Sequence, residues 1–130
     1  MSAPAPAIIT SPEQLPILFQ DALNAGDVDA VLALFSDGAA MRTVEGVRIA
    51  GIDQLRAEIG GTVAAHGKLT NLPRHTITGA QTALLVTDWT MEIDAPGGER
   101  VTGSGTTANI ARLEADGGWR FALLNPLGTH

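Results

Sequence analysis

The chain is 130 residues long and carries 8 Lys and Arg against 14 Asp and Glu, a formal charge of −6. That length fits one domain with a sizeable core, the acidic balance lacks the basic footprint that nucleic-acid binding needs, and no apolar run approaches the about 18 residues of a membrane span. The absence of cysteine rules out disulfides, thiolate metal ligands and a cysteine nucleophile.

The opening "MSAPAPAIITSP" has no Lys or Arg ahead of its short apolar stretch, which reads as a disordered Pro/Ala-rich tail over residues 1–10 and not as a secretory signal. Residues 11–130 are then the folded domain, and a cytoplasmic location follows by default. Ser11-Pro12-Glu13-Gln14 is a helix start, with Ser11 as N-cap and Gln14 closing a capping box. Pro16 disfavours helix at Leu15 and allows a later start. Leu15, Leu18, Phe19, Ala22 and Leu23 keep the spacing of one buried stripe up to Gly26. Asp27 caps a second short helix in which Val28, Val31, Leu32 and Phe35 repeat that spacing. A short strand through Met41 leads to a small hairpin at Glu45-Gly46. A third helix runs from about Ile52 to His66, with Ile52, Leu55, Ile59 and Val63 on one face.

From Lys68 onward the apolar period becomes two. "LTNLPRHTI", "TALLVTDWTMEI", "ERVTGSGTTANIARL" and "GWRFALL" are four strands separated by turns at Gly79-Ala80-Gln81, Asp94 to Gly98 and Glu114 to Gly118. Helices followed by an antiparallel meander argue an α+β fold, with three N-terminal helices on one side of a curved, mostly antiparallel sheet. Side chains alternate along a strand, so Leu69, Asn71, His75 and Ile77 share a face, as do Leu85, Thr87, Trp89, Met91 and Ile93. Gly103, Gly105, Thr107, Asn109, Ala111 and Leu113 belong with them, and so do Trp119, Phe121, Leu123 and Asn125. These sets are assigned to the helix-covered face. The glycines of "GSGTTA" are read as a bend or bulge, since a phosphate loop would lie between strand and helix. Asp88 and Glu92 fall on the outer face by the same alternation, and a one-residue bulge would reverse that assignment.

The phrases "LNAGDVDAVLALFSDGAAM", "GIDQLRAEI", "ALLVTDW" and "GTTANIARLEADGGWRFALLNPLG", in this order of elements, resemble the nuclear transport factor 2-like superfamily, in particular its SnoaL-like members related to ketosteroid isomerases. The resemblance covers nearly the whole chain after residue 11. It implies a strongly curved sheet in a cone-shaped, cystatin-like α+β barrel, a deep pocket between the concave face and the helices, and a homodimer through the outer face. The superfamily hosts isomerases, cyclases, dehydratases, epoxide hydrolases and non-catalytic modules. Ketosteroid isomerases hold the enolate with a tyrosine and a protonated aspartic acid, whereas this chain has no tyrosine. Close relatives carry an aspartate before the Asn-Pro of the last strand, where this chain has Leu124.

The expected pocket is mostly apolar, lined by Phe19, Met41, Trp89, Met91, Asn109 and Asn125, with His75 as the one inward histidine and the candidate general base. Each residue also has a bland reading: His75 as a histidine bonded to backbone, Trp89 as core, Asn125 as the cap of a local turn. Two functions follow. One is a small-molecule binding domain; the other is an enzyme of isomerase, cyclase or dehydratase kind acting on a neutral, largely apolar substrate, with Asn109 or Asn125 polarising a carbonyl. Epoxide hydrolysis needs Asp88, Arg112 and Arg74 to face inward, against the alternation above. His66, His75 and His130 lack metal-ligand spacing, so no metal and no cofactor is expected. The expected partners are a small molecule and a second copy of the chain, which covers Val86, Ala108, Ile110, Ala122 and Leu124 on the outer face.

Overall fold

The computed structural model describes residues 8–130. Most of the expected tail, residues 1–7, lies outside the described residues. The C=O of Ile9 accepts a hydrogen bond from Trp119 N at 2.8 Å, and its side chain packs against the core.

A 3-10 turn, Pro12–Gln14, runs straight into helix α1, Leu15–Asn24. Gln14 Oε1 accepts the Ser11 N–H at 3.3 Å. Pro16 sits in the first turn, where its missing N–H is one that a helix leaves unpaired anyway. Leu15, Pro16 and Leu23 are buried on this helix, whereas Leu18, assigned to the stripe by spacing, is 39% exposed. Asp27 Oδ1 accepts the Ala30 N–H at 3.0 Å and starts α2, Val28–Leu32. Phe35 does not extend that helix but opens strand β1, Phe35–Arg42, which pairs with the short β2, Arg48–Ala50. Helix α3 spans Ile52–Ala64 and buries Leu55 and Ile59. His66 follows at φ 55°, which ends the helix two residues before the expected limit.

Strands β3 (Lys68–Thr78), β4 (Thr82–Asp94), β5 (Arg100–Leu113) and β6 (Trp119–Leu124) complete one sheet in the order β2-β1-β6-β5-β4-β3. All neighbours are antiparallel except β1 and β6. The meander from β3 to β6 returns the chain beside β1 running in the same direction, so the fold is α+β with three N-terminal helices on a mixed, mostly antiparallel sheet. No described helix is long and apolar enough to cross a membrane.

Register decides which side chains face the helices. Between β4 and β5 it is unbroken from Thr82↔Arg112 to Asp94↔Arg100, so the glycines of "GSGTTA" form no bulge. Between β3 and β4 it slips by one residue between Pro73↔Thr87 and His75↔Val86. Pro73 has no N–H for the ladder, which makes this the place where the slip costs least. In β6 the pairs Ala111↔Phe121 and Ile110↔Leu123 leave Ala122 as the extra residue. Each slip turns the following side chains to the opposite face. His75 and Ile77 therefore stand on the uncovered face, and Leu124, not Leu123, turns inward: their exposures are 8% and 49%.

The core lies between the helices and the covered face. All three phenylalanines of the chain meet there: Phe19, Phe35 and Phe121 have ring centroids 5.8 to 6.3 Å apart, with Phe19 edge-on to both others. Edge-to-face geometry sets the positive ring edge against the negative face.

Candidate ligand-binding cavity

A cavity of about 210 Å³ opens between α1, α3, the β1–β2 hairpin and the covered face of the sheet. Phe19 and Leu23 enter from α1, Met41 from β1, Thr87, Trp89 and Met91 from β4, Thr107 and Asn109 from β5, and Phe121 and Leu124 from β6. The volume is below the ~300–1,000 Å³ usual for drug-sized ligands, which suits a compact molecule.

The aromatic wall depends on a glycine. Trp89 and Gly105 are directly opposite on β4 and β5, and a Cβ on Gly105 would lie 3.0 to 3.1 Å from Cζ2, Cε2 and Nε1 of the indole. A side chain at this position crowds the ring, which the bare backbone lets lie across β5. Trp89 Nε1 donates to the C=O of Pro126 at 2.8 Å, so its one polar atom is satisfied and its ring is locked as a cavity surface.

Two buried amides are held in opposite senses. The Asn71 backbone N–H donates to Gln20 Oε1 at 2.8 Å, and its Nδ2 donates to the Pro16 C=O at 2.9 Å. That ties β3 to α1 and leaves its Oδ1 as the acceptor. Beside it, Asn24 exchanges two hydrogen bonds with the backbone of Leu69, at 2.7 and 2.8 Å. Asn109 accepts the Asn125 N–H on Oδ1 at 2.8 Å, which leaves its NH₂ as the donor. Thr87 and Thr107 pair directly across β4 and β5 on the same wall. Thr107 Oγ1 is buried without a partner among the described residues.

Of the residues expected from the sequence, Phe19, Met41, Trp89, Met91 and Asn109 line this one cavity. Asn125 does not. Beyond the slip at Ala122 its side chain donates Nδ2 to the Gly128 C=O at 2.7 Å and closes the turn after β6, while Pro126 reaches the cavity in its place. His75 is exposed on the opposite face, because the slip at Pro73 reverses its side. Asp88 is on that face too, 3.6 Å from Arg74 Nε and accepting from Thr106 Oγ1 at 2.7 Å. Arg112 lies 3.8 Å from Glu114. The three residues needed for epoxide opening therefore do not gather in the cavity. Among the described residues, no three His, Asp or Glu side chains cluster as a metal site.

Alternation along strands gave no access to the cavity mouth. Glu58 and Thr62 of α3 and Glu45 at the hairpin tip line it. Burial pushes the Glu58 carboxyl above the ordinary glutamate range, and the neighbouring Glu45 charge pushes it further. The available signal was Glu58 standing beside Ile59 within the periodic run Leu55, Ile59, Thr62 of an otherwise apolar helix face.

A family model for the SnoaL-like domain matches residues 18–121. No curated protein matches the sequence significantly. Among solved structures, the chain is similar to a Thiobacillus denitrificans protein named for the calcium/calmodulin-dependent protein kinase type II association domain. The two share 23% identity over 94% of this chain and 99% of that one, with a TM-score of 0.74. It is similar to a ketosteroid isomerase-like protein from Erwinia carotovora atroseptica at 19% identity, over 87% of this chain and 89% of that one, with a TM-score of 0.75. The epoxide hydrolase/cyclase-like enzyme SalBIII of pyran ring formation in salinomycin shares 18% identity over 88% of each chain, with a TM-score of 0.67. These likenesses show the fold, and with the matching family model the chain belongs to the SnoaL-like domain family of the nuclear transport factor 2-like superfamily.

Proposed function

We propose that the cavity binds a compact small molecule, neutral and apolar along the body that lies against Phe19, Trp89 and Met91. In this reading Asn71 and Asn109 orient a carbonyl or hydroxyl. The observation that carries it is the pair of buried amides with opposite free ends, acceptor and donor, set in an apolar wall. The cone-shaped enclosure implied by the family belongs to the same reading, with the helices and the hairpin closing what the sheet leaves open. Calorimetric titration with small neutral aromatic ketones tests it. Asn109→Leu is expected to weaken binding by about 1–3 kcal/mol, and unchanged affinity counts against the assignment.

A second reading, proton-transfer chemistry of isomerase, cyclase or dehydratase kind, is favoured by the Asn109 NH₂, which is free to polarise a substrate carbonyl. His75, exposed on the other face, takes no part in it. Deuterium exchange next to the carbonyl of a bound ketone, seen by NMR and lost in Asn109→Leu, is the expected signature. Binding without exchange leaves a non-catalytic module.

A second copy of the chain is the proposed partner of the uncovered face. Leu72, Ile77 and Leu123 are 63%, 64% and 49% exposed there, with Val86 and Ile110 on the strands between them, apolar side chains of the kind that a partner surface covers. Light scattering is expected to give the dimer mass, and Leu123→Glu the monomer mass. A monomer for the unaltered chain at micromolar concentration overturns this.

A further inference from the structure

We propose that Glu58 and Glu45 form a cation-recognition site at the cavity mouth, so that the ligand is an amphiphile with a protonated amine at one end of a compact apolar body. This rests on the small-molecule reading above and names the class of molecule.

Glu58, from α3, and Glu45, from the tip of the β1–β2 hairpin, both line the cavity, and the Glu45 charge acts on Glu58. Among the described residues, no Lys, Arg or His lines the cavity. Among the described residues the ion pairs are Arg56–Asp29, His66–Asp94, Arg74–Asp88, Arg100–Asp94, Arg112–Glu114 and Arg120–Asp116, so neither glutamate has a cationic partner. Two neighbouring carboxylates, one of them partly buried, repel each other and lose hydration. The fold holds them together without a cation of its own to relieve that cost. A ligand ammonium placed between them relieves it, and does so more effectively here than on open surface because apolar walls displace water from one side.

A second observation is a buried hydroxyl on the same wall. Thr107 is only 8% exposed and its hydroxyl oxygen has no hydrogen-bond partner among the described residues, although it stands on the cavity wall beside Thr87. Buried hydroxyls are ordinarily satisfied, and leaving one unpaired is costly. It marks the place for a ligand's polar end. The same cavity wall carries Trp89, Met41 and Met91, an indole and two thioethers that accept an apolar or aromatic body and tolerate a nearby cation. The ligand that matches both ends is a small arylalkylamine with a hydroxyl or carbonyl far from its nitrogen.

Tyramine, tyrosol and 4-hydroxyphenylacetate share one frame and differ at the group that would meet the glutamates: ammonium, hydroxyl, carboxylate. In calorimetric titrations at neutral pH, tyramine is expected to bind about tenfold more tightly than tyrosol, equivalent to ~1.4 kcal/mol, with 4-hydroxyphenylacetate weakest. Glu58→Gln is expected to erase the tyramine advantage while tyrosol affinity stays within about twofold, and added salt to shrink it. Glu45→Gln, altering an exposed hairpin tip, is expected to reduce it in part and serves as the second variant. Tyrosol binding as tightly as tyramine overturns the cation site and leaves the small-molecule reading intact. Failure of all three to bind at millimolar concentration overturns both.

Discussion

The β4–β5 ribbon and the two strands that flank it, β3 and β6, treat their side chains differently. Along β4 and β5 the ladder is continuous, and every second residue from Leu85 to Ile93 and from Gly103 to Leu113 faces the helices. In β3 and β6 the ladder to this ribbon slips once, after Pro73 and at Ala122, and residues beyond the slip change sides. The continuous ribbon carries the aromatic and amide wall of the cavity. The slipped strands send His75 and Leu123 to the uncovered face and bring Leu124 in. A break in one ladder thus changes which chemical groups a pocket owns without altering a single residue type.

Breaking the continuous ribbon is expected to have the largest effect. Gly105→Val puts a side chain where Trp89 ring atoms stand 3.0 to 3.1 Å from a Cβ. Overpacking of this kind costs about 1–3 kcal/mol, expected as a lower melting temperature together with loss of ligand binding, since the indole must leave the wall. If Gly105→Val melts and binds like the unaltered chain, the ring is not held as described. In the slipped strand, Asn125→Leu removes the bond to the Gly128 C=O and is expected to cost about 1 kcal/mol of stability with affinity unchanged. Affinity loss without a stability change would return Asn125 to the pocket.

A smaller effect separates two carboxylates by the sign of their pH response. Hydrogen bonds from His66 and Arg100 hold Asp94 below the ordinary aspartate range. Its folded form binds its proton less readily than the unfolded chain, so its contribution is present above the ordinary range and lost as pH falls through the depressed folded value. Asp94→Asn is therefore expected to lower stability at neutral pH and to flatten the acid limb of a melting-temperature profile. Glu58, pushed up by burial and by Glu45, has the opposite sign: the folded state holds the proton more tightly, and stability declines as pH rises from the ordinary range through the raised value. Glu58→Gln is expected to raise the melting temperature slightly at neutral pH. A fall there would mean that Glu58 has a stabilising partner in the free protein.

The smallest effect belongs to the residue that alternation placed in the pocket. His75→Ala, on an exposed position beyond the slip, is expected to change stability by less than about 0.5 kcal/mol and ligand affinity not at all. A tenfold affinity loss would show that β3 keeps its register past Pro73.

What was legible in the sequence depended on neighbours within a turn or two. The Asp27 cap and the buried Leu15, Leu23, Leu55 and Ile59 follow from spacing on a helix, because the residues that satisfy a helix are its own. The period of two located the strands, and in β4 and β5 it placed Trp89, Met91 and Asn109 on one side. Tertiary structure decided the rest. A strand's partner is a distant segment, and whether its ladder absorbs an extra residue depends on which N–H groups find an acceptor across the gap. Pro73 offers none, so β3 slips and His75 turns away. The parallel pairing of β1 with β6 likewise follows from where the meander returns. Glu45 and Glu58 belong to a hairpin and a helix with no shared periodicity, and only the packing of both over the sheet brings two carboxylates to one cavity mouth.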